Sequence, residues 1–284
     1  MPDSKAELRS LVRLLDDEHP AVRTAVRCRL ASYGIGLRRA LQEAVPGLAA
    51  PDLELALELG LQERRGHLLR QWGAWMNQPS GVEKLEGGHR LLAQYLEPAG
   101  TSLDIPAALS QLAMDHELEC GEPDFRSLAE FLFGSKRFKG ARERYYHPDS
   151  SNLAAVLRSG EGNPISLACV YILAGRRLGL DVGGCNYPVH FLARARCPED
   201  GELYLIDCYN EGRIIHSGDL IEHHPLSSEA VTDVVMSPAS AELVISRVLR
   251  NLENAFRRDG QWKEEELMRQ LWRKLAVLGP GDDL

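Results

Sequence analysis

YYHPDSSNLAAVLRSGEGNPISLACVYILAGRRLGLDVGGCNYPVHFLARARCPEDGELYLIDCYNEG, residues 145–212, is the stretch from which the fold can be read. Gly162 interrupts the segment before it. Asn163 is suited to accept a hydrogen bond from a free N–H of a first helical turn, and Pro164 fits the first helical position because the N–H it lacks has no partner there. Ile165, Leu167, Ala168, Cys169, Val170, Ile172 and Leu173 then cover most of a helical circumference. That pattern predicts a helix buried on nearly every side. Arg176 and Arg177 emerge near its end, and Gly179 stops it. Leu180–Arg196 is rich in strand formers, Asp200-Gly201 signals a turn, and Leu203–Tyr209 runs back.

Alternation along the first strand places His190, Leu192 and Arg194 on one face and Val189, Phe191 and Ala193 on the other. His190 and Asp207 lie equally far from a turn centred between Pro198 and Glu199, which makes them near cross-strand neighbours. A tip at Asp200-Gly201 shifts the two without taking them out of side-chain reach. A carboxylate beside an imidazole fixes its tautomer and stabilises the imidazolium, as in the triads of acyl-transfer enzymes. The plainer reading is a surface histidine and a strand-end aspartate.

Buried helix, strand with His and strand with Asp resembles the core order of the transglutaminase-like, papain-like fold. In ordinary members of that family the helix opens Gly-x-Cys-x-x-x-Ala, and the Cys is the nucleophile. The matching segment here is Gly162 to Ala168, with Pro164 at the nucleophile position. His190 and Asp207 fall on the family's His and Asp. The chain is most similar to the SirB-type branch, on six pieces in order: Tyr145 to Pro148, Ser150-Ser151, Val156-Leu157, Gly162 to Ala168, Tyr187 to Phe191, and Ile206-Asp207. It departs from that pattern with Ser150 for an Asn, Asn163 for an aliphatic residue, Tyr187 for Phe and Cys208 for Pro. The resemblance covers residues 90 to 275. It implies an α+β fold, a transglutaminase-like core with a buried helix on a small antiparallel sheet, flanked by helical N- and C-terminal segments. It further implies a cleft lined by Asn152, Asn163, Tyr187 and Tyr145 or Tyr146.

Proline has no nucleophilic atom, so Cys-His-Asp chemistry cannot run through position 164. Ser166, two residues further into the helix, is one substitute. Cys185 is another, although odd spacing from His190 sets the two on opposite faces of a regular strand unless Pro188 bends it. Cys169 reads as core and Cys208 points away from Asp207, in keeping with the usual burial of free cysteines.

The remaining sequence bounds the problem. The 284 residues are 44% apolar and 26% charged, a soluble globular composition with enough apolar residues for a sizeable core. A net charge of −8 argues against general nucleic-acid binding, which needs a basic face. The opening MPDSKAELRS is charged and no apolar run reaches membrane-spanning length, so neither a secretory signal nor a membrane contact is expected. Six cysteines form no C-x-x-C pair, which suits a reducing cytoplasm and offers no zinc knuckle. Met114 to Cys120 holds metal-ligand residue types without a helical His pair and reads as a solvated helix end. His216, His223 and His224 fit no standard metal spacing. No metal or cofactor is expected.

Three segments follow. Residues 1–85 read as helices. Leu8, Leu11, Val12, Leu14 and Leu15 form one stripe, and Val22, Val26 and Leu30 form a second beyond an acidic break. The pair resembles a HEAT-type hairpin, with a further pair at Leu53–Leu61 and Glu63–Met76. Residues 86–236 form the core, entered by helices at Gly87–Leu96, Ile105–Cys120 and Phe125–Phe133. Residues 237–284 form a helical pair, Ala239–Arg258 and Gln261–Leu278, turning at Asp259-Gly260. The pair resembles a short tetratricopeptide-like tail that Trp262 and Trp272 would dock on the core.

Three functions are open on this reading. The first is a non-catalytic protein whose cleft binds a peptide, protein or small ligand, or serves regulation; the helix dipole favours an anionic group there, although Pro164 supplies no N–H. The second is an amidase or peptidase-type hydrolase using Ser166 or Cys185 with His190 and Asp207. The third is a helical interaction scaffold with a vestigial cleft.

Overall fold

The computed structural model describes residues 4–99, 103–187, 190–222 and 228–276. The chain divides into two compact units, Met1–Gln78 with Leu91–Ser102, and Pro79–Arg90 with Leu103–Leu284.

The first unit holds α1 (Ser4–Arg13), α2 (Pro20–Ala31), α3 (Leu37–Ala44), α4 (Ala50–Met76) and the second half of α5 (Val82–Leu96). Its core gathers Leu8, Leu11, Leu15, Val26, Leu30, Leu37 and Leu41, while Leu14 of the expected stripe is exposed. The helix pair expected at Leu53–Leu61 and Glu63–Met76 is instead the single helix α4. Gly60 does not break it. A Cβ there would lie 2.8 Å from Leu37 Cδ2, so the glycine admits α3 at close range. α5 likewise begins at Val82, with Gly87 and Gly88 inside it.

In the second unit, α6 (Ile105–Cys120) starts at an Asp104 cap and α7 (Phe125–Ala129) at an Asp124–Ser127 capping box. A π-turn, Glu130–Gly134, follows. His116 of α6 is buried, not solvated, and meets Ser127 Oγ at 3.0 Å; Ser127 is on the helix that the capping box starts. Strand β1 (Lys139–Gly140), α8 (Leu153–Ser159) and β2 (Glu161–Gly162) lead into α9 (Pro164–Arg177). Asn163 caps α9, and every residue from Pro164 to Gly175 is buried. Gly175 is required there, since a Cβ would lie 2.9 Å from Val182 and 3.1 Å from Leu128 side chains.

Leu180–Arg196 is not one strand. It is a hairpin of β3 (Val182–Cys185) and β4 (Leu192–Arg196), with Cys185 opposite Leu192. β5 (Leu203–Asp207) and β6 (Arg213–His216) complete an antiparallel sheet ordered β3-β4-β5-β6. α9 packs on β3, β4 and β5. α10 (Ser217–Glu222) and α11 (Ser228–Met236) follow β6. Cys185, Leu192, Leu203 and Leu205 pack with Val231 and Val235 of α11, which leaves the small residues Ala193 and Ala195 to the other face by alternation. α12 (Ala241–Arg258) and α13 (Trp262–Ala276) form the closing hairpin. Trp262 stands exposed, so it does not dock the hairpin as expected, and Trp272 donates to Glu253 Oε2 within the hairpin. His223, His224 and the end of the last predicted helix lie outside the described residues.

Candidate functional site

β4 pairs with β5 so that Ala193 faces Ile206, a register centred one residue beyond the Pro198–Glu199 midpoint. His190 precedes β4, and Asp207 ends β5. His190 Nε2 lies 2.7 Å from Asp207 Oδ1. An ionised carboxylate only accepts, so Nε2–H donates and Nδ1 is left as the basic atom. Among the described residues, Nδ1 has no hydrogen-bonding partner. The ring is partly exposed, with a quarter of its side-chain surface in solvent.

Asp207 is buried at the strand end and held on several sides. Oδ1 also accepts from the Asn210 backbone N–H at 3.2 Å, and Oδ2 from Asn210 Nδ2 at 2.8 Å. Burial pushes its acidity toward a higher pKa, but the bonds from His190 and Asn210 outweigh that and hold it below the usual carboxylate value.

An aromatic wall adjoins the pair. Tyr209 stands edge-on to His190 at 5.9 Å between ring centres and to Tyr145 at 6.0 Å. Tyr145 meets Tyr146 at 4.9 Å, and the Arg258 guanidinium lies 3.6 Å above Tyr146. Gly140, against the Tyr209 ring, pairs with Gly162, the residue before the Asn163 cap. The α9 N-terminus is thereby tied through β2, β1 and Tyr209 to His190.

The other expected residues, apart from Ser166, have structural partners. Asn163 Oδ1 accepts from the Ser166 N–H at 3.0 Å and its Nδ2 donates to Ser151 Oγ at 2.7 Å. Asn152 Oδ1 caps α8 through Ala154 N–H. Ser166 Oγ is fully buried without a hydrogen-bond partner, so no base activates it. Cys185 Sγ is buried against Val234 O, and burial pushes its thiol up to about 11. Burial also raises Cys169 and Cys208 above the ordinary thiol value. Tyr187 packs beside the β3–α11 cluster and gives its carbonyl to Arg247. Among the described residues, no group of three His, Cys, Asp or Glu side chains is placed to hold a metal ion.

A model of the transglutaminase-like superfamily matches residues 100–250, the span that contains α6 through β6 and the His190–Asp207 pair. The chain belongs to the transglutaminase-like superfamily. It is 35% identical over 138 residues to a UPF0162 protein of Xylella fastidiosa strain Temecula1, covering 46% of this chain and 48% of that protein. It is 27% identical over 174 residues to the F-box only protein 21 of Mus musculus, covering 59% and 27%. The UPF0162 protein YchA of Escherichia coli K12 matches at 32% over 89 residues, 31% of this chain and 33% of that one. The match thus spans about half the length of the Xylella relative and less of the other two. No solved structure matches.

In this transglutaminase-like chain, sequence reasoning passed over Asn210, Tyr209 and Arg247. The first two had a local signal, a polar turn directly after Asp207. Arg247 had none. From α12 its Nη1 donates to Asn186 Oδ1 at 2.6 Å and to Tyr187 O at 3.4 Å, and its Cζ lies 5.9 Å from the Phe191 ring centre. Among the described residues it has no carboxylate partner. Burial and then Arg250 lower its pKa, while Tyr145 partly opposes them.

Proposed function

We propose that this transglutaminase-like protein is a non-catalytic binding or regulatory protein, in which His190 and Asp207 hold a ligand and do not activate a thiol. The observation that carries the reading is the state of His190. It is locked by Asp207 and open to solvent, yet Nδ1 meets no Ser or Cys among the described residues. By resemblance the nucleophile belongs at position 164, where Pro164 offers no reactive atom. The hydrolase alternative needs Ser166 or Cys185, and both are sealed in the interior.

The ligand class follows from the surroundings. Tyr145, Tyr146 and Tyr209 offer flat apolar faces with polar tips, suited to a peptide or a small ligand. Arg247, a guanidinium without an acid partner, supports a carboxylate on that ligand. The net charge of −8 weighs against nucleic acid as the partner. Among the described residues no helix is long and apolar enough to cross a membrane, which fits a cytoplasmic setting without requiring it.

Selection of a random peptide pool on the full chain tests this. Peptides retained by the parent and lost with His190→Ala, uncleaved on recovery, are the expected result. Cleaved peptides, or one cysteine labelled rapidly at neutral pH, would restore the hydrolase.

A further inference from the structure

A cavity of about 370 Å³ lies within the second unit, between β3, β4 and the start of α12. Neither His190 nor Asp207 lines it. Its walls are polar and apolar in about equal measure, the apolar part coming from Val82, Leu85, Ile172, Val182, Leu203 and Val244 among others. Gly183 and Gly184 of β3 contribute no side chain, which leaves the space open. No aromatic side chain lines it, so no face is offered on which a nucleobase could stack.

The polar groups are unbalanced. Arg176, Arg194 and Arg196 line the cavity against one carboxylate, Asp181. Asp181 sits at the mouth, two-thirds exposed, 4.0 Å from Arg176 and 3.9 Å from Arg196. Arg196 also donates to Gly201 O at 2.7 Å. Glu242, on the first turn of α12, is taken by Lys84 at 2.6 Å and by Ser80. The deepest guanidinium is Arg194, only 8% exposed. Its Nη1 donates to Val235 O at 3.2 Å and Met236 O at 2.8 Å, at the end of α11. Among the described residues Nε and Nη2 have no protein acceptor, and neither is sealed from solvent. Capping α11 accounts for one nitrogen of this fork. It leaves the other two nitrogens of a largely buried side chain free to donate to a group that enters the cavity. Ser240 and Ala241 bring the N-terminus of the 18-residue helix α12 to the same space, adding positive potential.

We propose that this cavity binds a small organic acid, its aliphatic body against Val82, Leu85 and Ile172 and its anionic group on Arg194. The volume lies in the range of small-molecule sites, and an apolar side facing convergent polar groups suits an amphiphilic anion. A carboxylate and a phosphate monoester present the same acceptor geometry to a guanidinium fork. The site does not depend on the His190–Asp207 reading.

Titration calorimetry on the full chain, with octanoate, octyl phosphate, octanol and octylamine as probes, tests the assignment. At least one of the two anions binds, octanol binds at least about tenfold more weakly, and octylamine does not bind. The tighter anion identifies the head group. Arg194→Met weakens the anion at least about tenfold, whereas Arg39→Met, an exposed charge in the first unit, leaves it unchanged. Gly183→Val fills the cavity from β3, since a Cβ at 183 meets Arg194 Cγ at 3.6 Å and Pro238 Cβ at 3.8 Å, ordinary contact distances, and a melting curve checks that the variant is folded. Octanol binding as tightly as octanoate, no binding of either anion, or full affinity in a folded Arg194→Met protein overturns the proposal. Should Arg194→Met fail to fold, full affinity in Gly183→Val overturns it.

Discussion

The ring of Tyr209 fills the space that a side chain on Gly140 would need: a Cβ at 140 would lie 2.6 Å from Tyr209 Cε2 and 2.8 Å from Cζ. The contact joins the β1–β2 pair at the entrance to α9 with the turn that follows Asp207. Gly140→Ala must therefore push the Tyr209 ring, and Tyr209 leans edge-on against His190. The variant is expected to lose about 1–3 kcal/mol of stability, the usual range for overpacking. Its His190 ring resonances shift with it. A variant with the parent's melting temperature and unmoved His190 signals would show that the tyrosine can be displaced freely.

Asp207→Asn keeps the shape and removes the charge. His190 can still donate to the amide oxygen, but the amide nitrogen then faces the Asn210 Nδ2 donor. A loss of roughly 1–3 kcal/mol at pH 7 is expected from leaving a buried polar group badly matched. The pH dependence gives the sign. Asp207 is held below its ordinary value, so its contribution is present above the unfolded carboxylate pKa of about 3.9 and fades as pH falls through the folded value. Denaturation midpoints of parent and variant should differ most at neutral pH and draw together as pH falls below the unfolded carboxylate pKa of about 3.9. A gap that stays constant across that range would contradict the account.

Pro164→Cys asks whether the α9 tip reaches His190. The new residue supplies both a thiol and the N–H that proline lacks, at a helix N-terminus, where a thiol pKa falls. We expect mixed-disulfide formation with a small methyl thiosulfonate, which releases sulfinate, to be faster at pH 7 than at the exposed Cys28 and Cys120, and slowed at least about tenfold by adding His190→Ala. Equal rates in the single and double variants would separate the helix tip from the imidazole. Because position 164 is buried, the reagent must be small.

His89, inside α5, carries a second pH response. Both ring nitrogens are buried without a hydrogen-bond partner, and burial pushes the imidazole down to about 4. The unfolded chain takes up this proton near pH 6.5 and the folded chain only near 4. Stability from this group is therefore full above about pH 6.5 and falls on acidification, by an amount on the order of 3 kcal/mol at pH 4. His89→Leu should flatten the stability curve between pH 6.5 and 4 while changing it little at pH 8. A variant curve parallel to that of the parent through this window would count against the burial.

Where the sequence was legible, the cause was local. Asn163-Pro164 starts α9 by satisfying or removing the N–H groups of its own first turn, and the apolar residues after it cover a whole circumference, so a buried helix follows from fourteen residues alone. The nearness of His190 and Asp207 needed only two-residue strand periodicity and a turn, and a pairing shifted by two residues left them on the same face and within reach. Other readings failed. Leu53–Leu61 and Glu63–Met76 read as two helices and Gly87-Gly88 as a helix start, yet each lies inside one continuous helix, since a helix tolerates glycine where tertiary packing supports it. Leu180–Arg196 reads as one strand because both halves of a buried hairpin are made of strand formers.

By itself, the sequence determined the order of helix, His and Asp and the start of α9 at Pro164, a residue without a reactive side-chain atom. It did so because capping, periodicity and side-chain chemistry act over a few residues. Tertiary structure alone decided that Arg247 on α12 bonds Asn186 and Tyr187, that Tyr209 lies over Gly140, and that Arg194 ends with free donors in a cavity closed by α12. Those partners stand 40 or more residues apart. Nothing in a window of neighbours encodes such meetings, which arise only when the helices and the sheet bury their apolar faces against one another.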